Sequence, residues 1–264
     1  QLEGIRGVTL ALPTHNLIGE FVKRAEAADK AKLLIGDGLS FMPFDFNNIV
    51  VSPEAPKFET EAILKHIDNL RYAGLHTAVL SYIGDIAKGN NKIATEEDKE
   101  AALDYINKFK AYMTADKHST FITTHRNIMY SKKEIDVLII DEDFMNELLP
   151  VKSFKLSDLQ KFYNKLSDTS KIKVNIENVI AYFTNQVRGA YTKMTVIEVD
   201  MKSLQKELLK MVETNENLSI QGTVLEFLSS AFCFQRDSND GDTINFLSKL
   251  SLPKARKILI MSAT

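Results

Sequence analysis

Residues 137–144 read VLIIDEDF. An apolar run with no polar interruption marks a strand buried on both faces, as in a parallel sheet covered by helices. Asp141, Glu142 and Asp143 follow at once, so this strand brings carboxyl groups to its own carboxyl end. Two readings compete: acids that simply end a strand at the solvent, and acids that do chemistry there.

The neighbouring segments give the stretch its setting. GVTLALPTH from Gly7, STFITTH from Ser119 and RKILIMSAT from Arg256 are also short apolar runs ending in polar residues. With IDVLIIDED from Ile135 they predict an α/β protein built on a parallel sheet whose strands all finish in Thr, His, Asp, Glu or Ser. Ligands of open α/β sheets bind just outside such strand ends. A crossover between parallel strands needs only about 10 to 12 residues, yet residues 29–118 and 145–255 separate successive strands. The expected organisation is therefore a core from 1–28, 119–144 and 256–264, interrupted by two mostly helical insertions at 29–118 and 145–255.

Helical spacing fills the gaps. Leu17, Phe21, Val22, Ala25 and Ala28 recur after Asn16, a candidate N-cap. Ile63, Leu64, Ile67 and Leu70 form one apolar face that stops near Gly74. Thr95 and Asp98 have capping-box spacing ahead of Leu103, Ile106, Phe109 and Tyr112, and Ser157 with Gln160 repeats the box. Further helices are expected near 175–188, 201–213 and 222–234.

Composition removes several classes. The 264 residues are 44% hydrophobic, enough for a substantial core. No apolar run approaches the roughly 18 residues of a membrane span, and QLEGIRG lacks the basic and apolar regions of a secretory signal, so the cytoplasm is the expected compartment. The single cysteine, Cys233, forms no internal disulfide and builds no cysteine-ligated metal site; its surroundings, EFLSSAFCF, predict a core thiol. His66, His76 and His118 have no ligand-like spacing.

A net charge of −2 gives no global basic field. Residues 151–210 nevertheless hold eleven Lys and Arg against six Asp and Glu. Phe154, Phe162, Tyr163, Tyr182, Phe183 and Tyr191 lie among them. That mixture suits either a polynucleotide track, with cations on phosphates and rings on bases, or a solvated helical face over an aromatic core.

A hydrophobic strand that ends in Asp-Glu has the parts for nucleotide hydrolysis. The first carboxylate can hold Mg²⁺, a hard cation that prefers oxygen ligands. The second can orient and deprotonate water beside a γ-phosphate. DEDF followed by SAT at 262–264 resembles motifs II and III of superfamily 2 helicases. The strand ending ALPTHN looks like their motif Ia, and TTHRNIMY looks like the segment preceding the acidic box in the DinG and XPD branch. That branch also inserts one subdomain before the box and an arch domain after it.

The resemblance implies a partial RecA-like sheet with two mostly helical insertions, belonging to an ATP-dependent DNA helicase of replication or repair. Asp141 would hold Mg²⁺ and Glu142 the water, with ATP as the nucleotide. Ser262 and Thr264 would couple hydrolysis to movement. Pro13, Thr14, His15, Thr124, His125 and Arg126 would lie toward the nucleic-acid track, while for His15 and His125 a capping or turn role is the alternative. The implied partners are single-stranded DNA or RNA, gripped by the 145–255 insertion, and the remaining helicase domains of the same polypeptide; no membrane partner is implied.

Three departures qualify it. Asp143 stands where these helicases carry alanine. No G-x-x-x-x-G-K-[ST] occurs, and GDGLS at 36–40 lacks the Lys and the hydroxyl that follows it. The iron-sulphur ligands of that branch are absent too. The chain is therefore expected to be the middle of a longer polypeptide, with the phosphate-binding loop upstream and a second motor domain downstream. A metal-dependent phosphohydrolase using Asp141, Glu142 and Asp143 directly, and a noncatalytic helicase-like binding module, are the rival readings.

Overall fold

In the computed structural model, the four apolar segments form strands of one parallel sheet. The structure describes residues 7–27, 40–41, 56–114, 121–129, 134–142, 144, 148–185, 191–194, 198–214, 221–236, 243–247 and 251–261. Strands β1 (Val8–Leu12), β2 (Ser40–Phe41), β3 (Phe121–Thr124), β4 (Ile135–Asp141) and β9 (Ala255–Met261) assemble in the order β2-β3-β1-β4-β9. The two-residue β2 falls inside the stretch expected to form the first insertion.

Helix α1 (His15–Ala27) covers one face, where Ile18 packs with Leu12 and Ile122. The other face seats Ala11, Leu138 and Ile140 against Phe121, Ile128, Met129 and Phe144. Ile128 and Met129 come from the short helix α5 (His125–Ile128) and the residue that follows it. The N-cap of α1 is Thr14, whose Oγ1 accepts from Leu17 N–H at 3.3 Å, and not Asn16.

β9 departs from the expected buried strand. It occupies the edge of the sheet, and Arg256 to Met261 are all exposed, Ile260 at 57%. The sequence pattern is that of an interior strand. Burial on both faces nevertheless requires layers above, below and beside it, and among the described residues β9 pairs with β4 alone.

The two long excursions meet in a second body. Helices α2 (Glu61–Tyr72), α3 (His76–Ala87) and α4 (Glu96–Thr114) come from the first. The second supplies β5 (Val151–Lys155), α6 (Leu156–Lys165), α7 (Lys171–Asn185), β6 (Tyr191–Lys193), α8 (Met201–Glu213), α9 (Gln221–Leu228), β7 (Phe232–Arg236) and β8 (Thr243–Leu247). Besides its helices it carries four strands, which form an antiparallel sheet in the order β5-β8-β7-β6. One core runs through both excursions, joining Ile63, Ile67, Val79 and Ile83 to Leu204, Phe227, Phe183 and Phe246. Phe183, Phe227 and Phe246 pack as tilted and edge-on neighbours, with ring centroids 5.5 and 5.7 Å apart.

Local signals explain most helix limits and some errors. Gly74, at φ 72°, ends α2 as expected. Thr95 and Asp98 form the reciprocal box, Thr95 Oγ1 accepting from Asp98 N–H and Asp98 accepting from Thr95 N–H, both at 3.1 Å. Asp98, fully buried, also accepts from Glu59 N–H at 2.8 Å, Thr60 N–H and the Thr60 hydroxyl. It thereby ties the start of α2 to the start of α4.

On α4, Ala102 and Tyr105 are buried and Ile106 and Phe109 of the expected face pack partly buried beside them, whereas Leu103 is exposed; Leu64 on α2 is likewise exposed. Helix α6 begins at Leu156 without a side-chain cap, so Ser157 and Gln160 make no box. The expected 222–234 helix ends at Leu228, and Cys233 is a buried strand residue of β7. Among the described residues no helix is long and apolar enough to cross a membrane.

Candidate functional site at the carboxyl rim of the parallel sheet

Parallel register brings the strand ends to one level. Leu12 pairs with Thr124, Ala11 with Ile140, and Asp141 with Met261. The residues that leave β1, β3, β4 and β9 therefore start from a common rim. Asp141 is half-buried there, and among the described residues no cation pairs with it.

Glu142 is held in an uncommon way. Its φ is 67°, the left-handed region in which an L side chain crowds the backbone at a cost of about 1 to 2 kcal/mol. Its N–H donates to the Met261 carbonyl at 2.7 Å, so the turn is pinned to β9. The result is an exposed carboxylate at the rim beside a half-buried one. Strained positions of this kind concentrate at functional sites. Phe144 then turns back into the core, its ring edge-on to His125 with centroids 6.4 Å apart.

The residues expected along the nucleic-acid track separate into two groups. Pro13 and His15 are half-buried and Thr14 is exposed, its hydroxyl engaged in capping α1. Thr124 and His125 are buried, His125 to 3%, and have almost no surface to offer a polynucleotide. Among the described residues, His125 Nε2 has no hydrogen-bond partner. Arg126 lies in α5, two residues beyond the end of β3. Asp143, Ser262 and Thr264 lie outside the described residues, although Met261, which precedes Ser262, is the register partner of Asp141.

Among the described residues no group of three or more His, Cys, Asp or Glu side chains is placed to hold a metal ion together. Asp141 alone still suits Mg²⁺, which keeps several waters and takes one or two carboxylates plus substrate phosphates. Neither the left-handed backbone of Glu142 nor the buried His125 was foreseeable. Conformation at one residue leaves no periodic trace, and His125 ends a polar TTH run that looks solvated.

The aromatic residues of the basic segment are divided as well. Phe162 and Phe183 belong to the core, whereas Tyr182 is exposed; Phe154 and Tyr191 have no described side-chain placement. His66 packs on Tyr82 with ring centroids 4.4 Å apart, and burial lowers its pKa against a smaller opposing pull from Glu213. No family model matches this sequence, and no curated protein matches it.

Proposed function

We propose that this chain is part of the motor core of an ATP-dependent helicase or translocase acting on single-stranded nucleic acid, and that its parallel sheet is a partial RecA-like sheet. The observation that carries the reading is the Asp141–Glu142 pair at the carboxyl rim, with Glu142 pinned through its N–H to the last residue of β9. Asp141 would hold Mg²⁺, which when bound would supply positive charge against the transferred phosphoryl group. Glu142 faces solvent, free to accept a proton from the attacking water. Ser262 and Thr264 follow β9 and report the state of the acidic pair to the rest of the motor.

The phosphate cradle comes from sequence beyond these 264 residues, which contain no G-x-x-x-x-G-K-[ST]. The isolated chain is therefore expected to turn over no ATP. Turnover by the purified chain that Glu142→Gln abolishes would overturn the assignment of the cradle. In the complete polypeptide, Glu142→Gln is expected to cut ATP hydrolysis by about 10² to 10⁴, the usual worth of a general base, while leaving nucleotide binding in place. Unchanged turnover there would refute the role of Glu142. The body formed by the two excursions supplies the grip on single strands, with binding that weakens steeply as salt rises. The missing cradle motif equally suits a noncatalytic helicase-like module, which would bind single strands but hydrolyse nothing even in the complete polypeptide.

A further inference from the structure

One face of the antiparallel sheet is buried and the other is open. Cys233, Ile244 and Phe246 point into the core, and Lys152, on the same side at the edge, bonds Glu226 of α9 at 2.5 Å. The alternating positions Val151, Ser153 and Lys155 of β5, Phe232 of β7 and Lys193 of β6 are exposed, and Thr243, Asn245 and Leu247 of β8 are half-buried. Register lines them up across the strands. Val151, Leu247, Phe232 and Lys193 form one row. Two residues along, Ser153, Asn245, Phe234 and Tyr191 occupy the next row, and Lys155, Thr243 and Arg236 the third.

We propose that this open face is a stacking platform for single-stranded nucleic acid, with a base on Phe232 and the adjoining phosphate met by Lys193. The inference deepens the nucleic-acid half of the proposed function and rests on it, but it is independent of ATP hydrolysis. Three features converge. Phe232 is a 40% exposed aromatic on an interior strand of the sheet, and an exposed ring offers a face on which an unpaired base can stack. Four-stranded sheets with such aromatics are a known solution for holding two or three unpaired bases.

The charge is complementary to phosphate as well. The open face exposes Lys155 and Lys193, and none of its four strands carries an Asp or Glu, within a chain of net charge −2. An apolar protein partner would call for no such sign bias, whereas a polyanion does. The platform is placed at the end of the face where Phe232 and Lys193 are register partners.

The test is fluorescence anisotropy of the full 264-residue chain with a short labelled oligothymidylate at low salt, with far-ultraviolet circular dichroism verifying each variant's fold. Phe232→Ala is expected to weaken binding about tenfold, in the range for loss of one stacked base, and Phe232→Trp to retain it. Lys193→Ala should weaken binding and lower the salt slope by about one. Leu103→Ala, exposed on α4 in the same body, should leave affinity unchanged.

Salt-sensitive binding that no Phe232 or Lys193 variant alters would overturn the platform while leaving the nucleic-acid reading intact. No binding by the unaltered chain at low salt would overturn both. Loss of self-association in sedimentation by Phe232→Ala, with oligonucleotide affinity unchanged, would make the face a protein contact and also refute the proposal.

Discussion

The parallel sheet and the body built from the two excursions use similar apolar sequence to opposite effect. In the composite body, segments nearly 200 residues apart close around one core, and Ile63, Ile176, Leu208 and Phe227 have no exposed surface at all. In the parallel sheet, two small clusters flank the central strands, while β9 keeps Ile258, Leu259, Ile260 and Met261 exposed. Hydrophobic sequence therefore stabilises only where enclosing layers are present; on β9 the same residue types offer a surface to be covered.

That contrast is open to attack by mutation, read as urea midpoints of the 264-residue chain. The largest effect is expected at Phe227→Ala, which removes a ring from the centre of the composite core and should cost about 3 to 5 kcal/mol. A loss under about 1 kcal/mol, within the range of an ordinary surface change, would show that the two excursions do not share a tight core.

Asp98→Asn comes next, because the carboxylate accepts from three N–H groups and a hydroxyl that an amide only partly replaces. Burial alone would raise the Asp98 pKa; the Thr60 hydroxyl and the N–H groups of Thr95, Glu59 and Thr60 outweigh it and hold it at about 2. Its folded pKa lies below the ordinary value of 3.8, so the stabilisation is complete above that value and is lost as pH falls toward about 2. The magnitude is on the order of 2 kcal/mol. Acid unfolding curves of the unaltered chain and Asp98→Asn should therefore converge in that window, and curves that stay parallel through it would remove Asp98 from the account.

Glu142→Gly should stabilise by about 1 kcal/mol, since glycine adopts the left-handed backbone without crowding. A destabilised variant would mean that the carboxylate itself holds the rim together. The smallest change belongs to β9, where Ile260→Lys should shift stability by less than about 0.5 kcal/mol yet reduce concentration-dependent association at the open edge. A loss comparable with Phe227→Ala would show β9 to be enclosed after all.

Much of this architecture is legible in the residues. The uninterrupted apolar runs ending in Thr-His, Asp-Glu and Met-Ser mark parallel strands because burial on both faces suppresses alternation, and register then aligns their polar ends without further instruction. Thr95 and Asp98 were readable as a box because its geometry spans one helical turn. The antiparallel sheet was not readable. FCFQR and TINFL are short, and EFLSSAFCF is equally apolar as helix or strand until its partners are known.

For the same reason the aromatics of the basic segment carry a signal in sequence that the exposed Phe232 does not. Phe162 and Phe183 stand among lysines in sequence but face inward in space. The left-handed Glu142 belongs to a level that no composition or period encodes, the backbone angle of a single residue hydrogen-bonded to β9.

The chain passes between the parallel sheet and the composite body four times, after β2, before β3, after β4 and before β9. A lobe attached by one pair of strands could swing like a door on its jamb. With two pairs feeding a common interior, any swing would have to stretch or twist both attachments together. A force on that lobe would thus be shared between the start of β3 and the start of β9, strands that lie on opposite sides of β4 and its acidic end.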